Sequence, residues 1–326
     1  MAQILLTNQC NLNCPYCFAK EFKTDKPQWI TPSLFQQLLT FLNPHDGFIG
    51  LAGGEPTLHP NFQTILKDFN TYLNNNQLNS AIYTNGILLQ PYLNDIHFTT
   101  ALLINVNNPK ILTHQQNQQL LNTLDNLSER NWFQYTINGI YKASLGCNIY
   151  TTDTQDYQYI WELVRQYKIP TLRVSVVCPK FLTSLNKNEY YTQMKPIFLW
   201  FVQQAQLHNI TLTLDCSQIP ICYFSADEIL FIQQQVQNFN SFFHCDATVC
   251  FSPTGQILPC FGMPNFNKWL QQTDNNFHQY QSLFEIKQLI EQNHIQHQEE
   301  SLNQCVNNCL LKNISQCQNG CLASKI

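Results

Sequence analysis

Between residue 3 and about residue 215, short runs of β-branched and other apolar residues alternate with longer stretches in which apolar positions recur every three or four residues. Alternation of that kind predicts repeated βα units around a parallel sheet. Strands are expected near residues 4–7, 47–52, 80–84, 101–106, 143–150 and 171–178, each followed by a helix. The clearest helix start is Thr31-Pro32, where a threonine cap and a proline in the first turn open a run whose Phe35, Leu38, Leu39 and Leu42 share one stripe. Another helix opens at Pro60 and sets Phe62, Ile65, Leu66 and Phe69 on a common face. A long helical stretch around 190–208 and a strand ending at Asp215 close the series. The expectation is an α/β fold, a partial (β/α)6 TIM-like barrel whose functional loops gather at the C-terminal ends of its strands. After residue 215 the rhythm stops and cysteine-bearing loops take over, so two domains are expected, a barrel over 1–215 and a cysteine-rich extension over 216–326.

Composition narrows the function classes. Charged residues make up 12% of the 326 positions, net charge is -4, and the only arginines are Arg130, Arg165 and Arg173. No basic stripe exists to neutralise a phosphate backbone, so nucleic acid is not expected as a partner. No apolar run approaches the roughly 20 residues that span a bilayer, and the start MAQILLTNQC lacks the basic and long apolar regions of an export signal. The expected setting is cytoplasmic, without a membrane partner. Fourteen cysteines in such a chain point to metal binding rather than to a disulfide framework.

The densest chemistry is Cys10-Asn-Leu-Asn-Cys14-Pro-Tyr16-Cys17-Phe18, directly after the first expected strand. Three thiolates on one short loop suit three irons of a cubane and leave the fourth iron without a protein ligand, unlike the closed four-cysteine sites of ferredoxins. An open metal position is where a substrate or cofactor binds. The alternative, a structural zinc, needs a fourth ligand, and the nearest spare one, His45, lies far along the chain.

On these residues the sequence resembles the radical S-adenosylmethionine superfamily, whose hallmark is C-x3-C-x-aromatic-C on the loop after the first barrel strand; Tyr16 fills the aromatic position. The resemblance implies a 4Fe-4S cluster on Cys10, Cys14 and Cys17, with S-adenosylmethionine on the open iron through its amino and carboxylate groups. An electron from the cluster then releases a deoxyadenosyl radical that abstracts hydrogen from an unactivated position. It also implies an electron donor such as flavodoxin or ferredoxin. Gly53-Gly54-Glu55-Pro56-Thr57 is similar to the GGEP motif of these enzymes. By that likeness Gly53, Gly54, Glu55 and Pro56 border the cofactor, the glycines allowing close backbone approach and Glu55 facing its ammonium. Tyr83-Thr84-Asn85-Gly86 resembles the TNG that ends the next strand and adds Thr84 and Asn85 to the cofactor set. Where many relatives carry a serine and an aspartate on the fourth strand, Asn105 and Asn107 stand here; Asn105 joins the set, since a carboxamide both donates and accepts. Asn148 and Arg173 are polar groups inside apolar strands. The cofactor carboxylate suits a buried guanidinium, and an outward-facing arginine on an alternating strand is the other reading.

In the extension, HCDATVCFSPTGQILPCFG reads as a hairpin turning at Pro253-Thr254-Gly255. Its Cys245, Gly255 and Cys260 are similar to the opening of SPASM and twitch extensions, which hold auxiliary clusters. Cys305-x3-Cys309-x7-Cys317-x3-Cys321 resembles the later SPASM block, with longer first gaps and no cysteine following. The resemblance implies one or two auxiliary 4Fe-4S clusters on Cys245, Cys250, Cys260, Cys305, Cys309, Cys317 and Cys321, with Cys216 and Cys222 as further thiols. A zinc ribbon is the alternative for the same residues.

SPASM-type relatives act mostly on peptides or proteins, which implies hydrogen abstraction from a peptide or protein substrate and maturation of a ribosomally made peptide by crosslinking, epimerisation or oxidation. Two readings stand beside it. One is a small-molecule radical enzyme of the twitch type, against which three arginines are few for a nucleoside triphosphate and the ending LASKI lacks a diglycine. The other is a non-catalytic iron-sulfur or zinc scaffold. Cys10 follows the start closely, so no separate peptide-recognition domain is expected before it, leaving recognition to the barrel mouth, the extension or another protein.

Overall fold

The computed structural model describes residues 2–21, 26–42, 47–182, 185–215, 219–239, 248–259 and 275–302. Cys216, Cys245, Cys260, Cys305, Cys309, Cys317 and Cys321 lie outside the described residues. Along the chain run β1 (Ala2–Leu5), α1 (Pro32–Phe41), β2 (Ile49–Ala52), α2 (Phe62–Asn76), β3 (Ser80–Thr84), β4 (Thr100–Asn105), α3 (His114–Glu129), β5 (Thr136–Ile137) and β6 (Ile140–Tyr141). They are followed by β7 (Ala143–Ile149), α4 (Gln158–Gln166), β8 (Thr171–Val176), α5 (Lys187–Leu207), β9 (Thr211–Leu214), α6 (Ala226–Gln235), β10 (Val249–Phe251), β11 (Ile257–Leu258) and α7 (Leu283–Leu302). The fold is α/β with mostly parallel strands, as the apolar rhythm predicts.

The chain packs as two compact units. Among the described residues the first comprises those in 2–144, 248–259 and 275–290, and the second those in 145–239 and 291–302. In the first unit the strands lie side by side in the order β11-β10-β1-β2-β3-β4, all parallel except β11, which returns antiparallel to β10. Leu5 faces Ala52 across β1 and β2, and Thr84 faces Ile104 across β3 and β4. That register delivers the segments after these four strands to one edge, and every motif of the first unit sits on one of them.

The sequence builds these elements in recognisable ways. All four residues of β2 are buried, as for a parallel strand covered on both sides. Thr31 accepts from the Leu34 N–H at 3.2 Å and caps α1, which buries Phe35, Leu38 and Leu39. Phe35 meets Phe69 of α2 edge to face at 6.2 Å between centroids. Each such fully buried side chain contributes about 1.5–3 kcal/mol. The helix expected from Pro60 begins at Phe62, because the preceding residues form a short 3-10 turn over Pro56–Leu58. Hairpin β5–β6 turns on Asn138-Gly139, both at positive φ of 50° and 80°; Asn-Gly is the standard two-residue hairpin turn, and this signal is absent from the βα reading.

Packing divides the chain differently from the cysteine pattern, which suggests a change at residue 215. The hairpin of β10 and β11, turning at Gly255 as expected, adds to the first unit because β10 pairs parallel to β1, Gln3 facing Cys250. The second unit holds β7, β8 and β9 in parallel order with α4, α5 and α6. Its core gathers around Trp161, which meets Trp200, Phe201 and His208 within 6.1 Å. Among the described residues no helix is long and apolar enough to cross a membrane.

Candidate active site

The segment after β1 carries the three clustered cysteines, none of them in a disulfide and all half-buried. Its backbone is held at several points. Gly54 N–H donates to the Thr7 carbonyl and Glu55 N–H to the Gln9 carbonyl, each at 2.8 Å, so the segment after β2 extends the ladder beyond the strands. The Asn11 side chain accepts from Asn85 Nδ2 at 2.7 Å, and the Asn11 carbonyl accepts from Gln116 Nε2 in the first turn of α3 at 3.0 Å. Within the loop, Leu12 N–H approaches Cys10 Sγ at 3.4 Å and Cys17 N–H donates to the Cys14 carbonyl at 3.2 Å. Leu12 and Tyr16 are buried beneath it.

Gly53 and Gly54 make a close approach to the chain itself. A Cβ on Gly54 would lie 2.2 Å from the Gln9 carbonyl oxygen, and one on Gly53 would lie 2.7 Å from the Thr7 oxygen. The two glycines are the contact surface for the cysteine segment itself. Glu55 is completely buried. Its Oε1 accepts from Thr57 N–H at 3.1 Å, Thr57 Oγ1 at 2.6 Å and Thr84 Oγ1 at 2.8 Å, and its Oε2 accepts from Asn85 N–H at 2.8 Å. Burial raises its pKa, and these four bonds pull the other way by favouring the charged form. Glu55 thereby ties the segments after β2 and β3 together, engaging donors of the chain where the resemblance expects a cofactor ammonium.

His59, which the sequence reading passed over, fixes the far end of this turn. Asn61 N–H donates to its Nδ1 at 3.1 Å, so Nε2 carries the proton and donates to the Ile30 carbonyl at 2.8 Å. Burial holds its pKa below the ordinary 6.5. Since the folded value is the lower one, the unfolded chain takes up the proton first, and stability is lost as pH falls below 6.5. Denaturation midpoints at about pH 7.5 and about pH 5.5 should show wild type losing stability relative to His59→Gln over that interval.

The segment after β4 reaches the cysteines through Asn107 rather than Asn105. Asn107 Oδ1 accepts from Cys14 Sγ at 3.3 Å and from the Tyr16 hydroxyl. Asn105 contributes its carbonyl, which accepts from Asn107 Nδ2 at 3.3 Å. Asn148 and Arg173 lie in the second unit. Asn148 Oδ1 accepts from Ser175 Oγ at 2.5 Å across β7 and β8, and Arg173 finds its anion in the chain, pairing with Asp215 at 2.6 Å. Cys147 and Cys178 are buried, and burial pushes the Cys147 thiol up to about 12. Cys222 is exposed. Cys250 has the surroundings of a core thiol, packed with Leu5, Ala52 and Leu258, its Sγ 3.5 Å from Gln3 Oε1.

Among the described residues, no three His, Cys, Asp or Glu side chains converge on a point where one metal ion could sit. A cubane binds each thiolate to a different iron, so its ligands surround one cluster without meeting at one ion, and three half-buried thiols on one pinned loop fit such a cluster.

Comparisons with known proteins agree with this geometry. Residues 4–142 match the model of the Radical SAM superfamily. A probable GTP 3′,8-cyclase of Methanococcus aeolicus is 33% identical over 91 residues, 28% of this chain and 30% of that protein; the chain thus aligns with under a third of that relative's length. The GTP 3′,8-cyclase of Synechocystis sp. is 23% identical over 91% of this chain and 90% of its own. Among solved structures, native anSMEcpe with bound AdoMet superposes with a TM-score of 0.63 at 15% identity, covering 98% of this chain and 88% of that one. Streptococcus suis SuiB bound to its precursor peptide SuiA gives 0.61 at 12% identity, covering 88% and 64%. At these identities the two structures show a shared fold.

Proposed function

We propose that the protein is a radical S-adenosylmethionine enzyme that abstracts hydrogen from a peptide or protein substrate. One observation carries the chemistry: the loop bearing Cys10, Cys14 and Cys17 is bonded to Gly54 and Glu55, to Asn85 and Gln116 through Asn11, and to Asn107 through Cys14. Cys10, Cys14 and Cys17 would hold a 4Fe-4S cluster, and Tyr16, Gly53 to Pro56, Thr84, Asn85 and Asn105 would border S-adenosylmethionine. When bound, these groups supply an electron and a deoxyadenosyl radical. The chain supplies position: Glu55 fixes the segments after β2 and β3 against each other, and buried Leu12, Tyr16 and Pro56 keep water from the loop's inner side. Cys245, Cys260, Cys305, Cys309, Cys317 and Cys321 are proposed for one or two auxiliary clusters, and a flavodoxin or ferredoxin for the electron.

Charge favours the peptide. Arg173 is paired with Asp215, and Arg130 donates to Asn94 and lies over Trp132. Lys142 is buried against the carbonyls of His97, Phe98 and Thr100, and Lys195 pairs with Glu228. These cations are engaged with their own neighbours, whereas a triphosphate calls for several forked donors aimed at one place. The peptide-bound SuiB structure supports the same reading through fold. The cyclase relatives support a second reading, a small-molecule radical enzyme acting on a purine nucleotide.

Anaerobic reconstitution with iron and sulfide, reduction by dithionite and chromatography of the products separate the two. The chain should convert S-adenosylmethionine to deoxyadenosine, faster when a short peptide encoded beside it is added and unchanged by GTP. Loss of GTP in step with deoxyadenosine would establish the second reading.

A further inference from the structure

We propose that Asn107 positions Cys14 and sets the reduction potential of the cluster on the cysteine loop by presenting its carboxamide N–H to the Cys14 sulfur. This rests on the reading that Cys10, Cys14 and Cys17 carry a 4Fe-4S cluster. Asn107 is 6% exposed and arrives from the segment after β4, 93 positions from Cys14. Its side-chain oxygen is engaged at the loop, Oδ1 with Cys14 Sγ at 3.3 Å and with the Tyr16 hydroxyl, and Nδ2 bonds the Asn105 carbonyl at the end of β4 at 3.3 Å.

The Cys14 contact is a thiol donating to an oxygen. A ligating sulfur is a thiolate and has no proton to donate, so an amide oxygen facing it is repulsive. The terminal torsion of asparagine is broad, and a half-turn exchanges Oδ1 for Nδ2 with no movement of the backbone. Tyr16 serves either orientation, because a phenol both donates and accepts. The half-turn gives up the bond to the Asn105 carbonyl, long for N–H···O at 3.3 Å, and turns Oδ1 toward that oxygen, a repulsion between neutral dipoles that is weaker than that of an amide oxygen facing a charged thiolate. An N–H directed at a ligating sulfur favours the more negative, reduced cluster and therefore raises its potential.

Two substitutions separate the parts of this assignment. Asn107→Asp keeps the shape and an acceptor for Tyr16 but removes the donor and adds a negative charge. Asn107→Leu removes donor and acceptor at similar volume. The readout is a redox titration followed by electron paramagnetic resonance, on the signal that changes when S-adenosylmethionine is added and that disappears when Cys10, Cys14 and Cys17 are replaced. The expected order of midpoints is wild type highest, Leu lower and Asp lowest. Iron content equal to wild type with unshifted midpoints in both variants would overturn the proposal. If a folded variant instead loses iron at this site, the positioning part is upheld. The potential is then read on Asn107→Ser, whose hydroxyl keeps a donor, and on Asn107→Ala, which keeps none; a Ser midpoint above that of Ala supports the proposal, and one equal to or below it overturns it. Absence of the S-adenosylmethionine-sensitive signal from wild type would remove the cluster reading itself, which distinguishes the two failures.

Discussion

Replacing Cys10, Cys14 and Cys17 together by alanine is expected to abolish deoxyadenosine formation altogether while leaving the fold and any iron bound elsewhere in place. The effect on activity is complete because no other described group offers an electron to S-adenosylmethionine. The effect on stability is small because the three thiols are half-buried and a thiol is a weak hydrogen-bonding group. Cys10 Sγ sits 3.4 Å from Leu12 N–H and Cys14 Sγ 3.3 Å from Asn107. A neutral hydrogen bond of that kind contributes about 1 kcal/mol at most. Iron analysis, circular dichroism and product chromatography on one preparation make the comparison. Continued cleavage by the triple variant would place the reducing centre elsewhere. A variant with no iron at all and stoichiometric zinc would move the C-terminal cysteines to the zinc-ribbon reading.

What the sequence made legible follows from what is local. A parallel strand buried on both sides is a continuous apolar run, so β2 and β3 stand out, and a threonine before a proline marks the start of α1 without reference to anything distant. The three site motifs were readable for the same reason, since each is a contiguous string at a strand end. Long-range pairings carry no such mark. Nothing near Cys250 announces that it will face Gln3 on β1, 247 positions away, and a cysteine inside a hairpin reads equally well as a ligand or as a core thiol. Asn107 was visible only as a departure from a motif, and its contact with Cys14 required β4 to be set in register with β3. Arg173 reads equally well as buried or outward-facing, and Asp215 reaches it only because β8 and β9 pair in parallel, which neither residue signals. The four donors to Glu55 come partly from Thr84 and Asn85, so its role as a tie between two segments is a property of the folded edge and not of the string GGEP.

The same distinction decides what the glycines are for, and it yields the second large effect. Gly54→Ala is expected to strip the cluster from the cysteine loop, not merely to weaken S-adenosylmethionine. The added Cβ would stand 2.2 Å from the Gln9 carbonyl oxygen, 2.6 Å from its carbon and 3.1 Å from the Asn8 oxygen. These are backbone atoms, so no side chain can swing aside, and residues 8 and 9 must move. Cys10 follows immediately, and the bonds from Gly54 N–H to Thr7 and from Glu55 N–H to Gln9 must stretch with them. Overpacking of this kind costs about 1–3 kcal/mol, and lengthening two backbone bonds adds to it. A loop displaced by a large fraction of an ångström no longer presents three thiols to one cubane. The expected result is iron at the level of the triple cysteine variant, a lowered denaturation midpoint and no detectable deoxyadenosine. If the glycine instead serves close approach of the cofactor, Gly54→Ala keeps its iron and its stability, and only S-adenosylmethionine binding, measured by calorimetry, weakens. Iron content alone separates the two accounts, because it reports the cysteine loop before any cofactor is added.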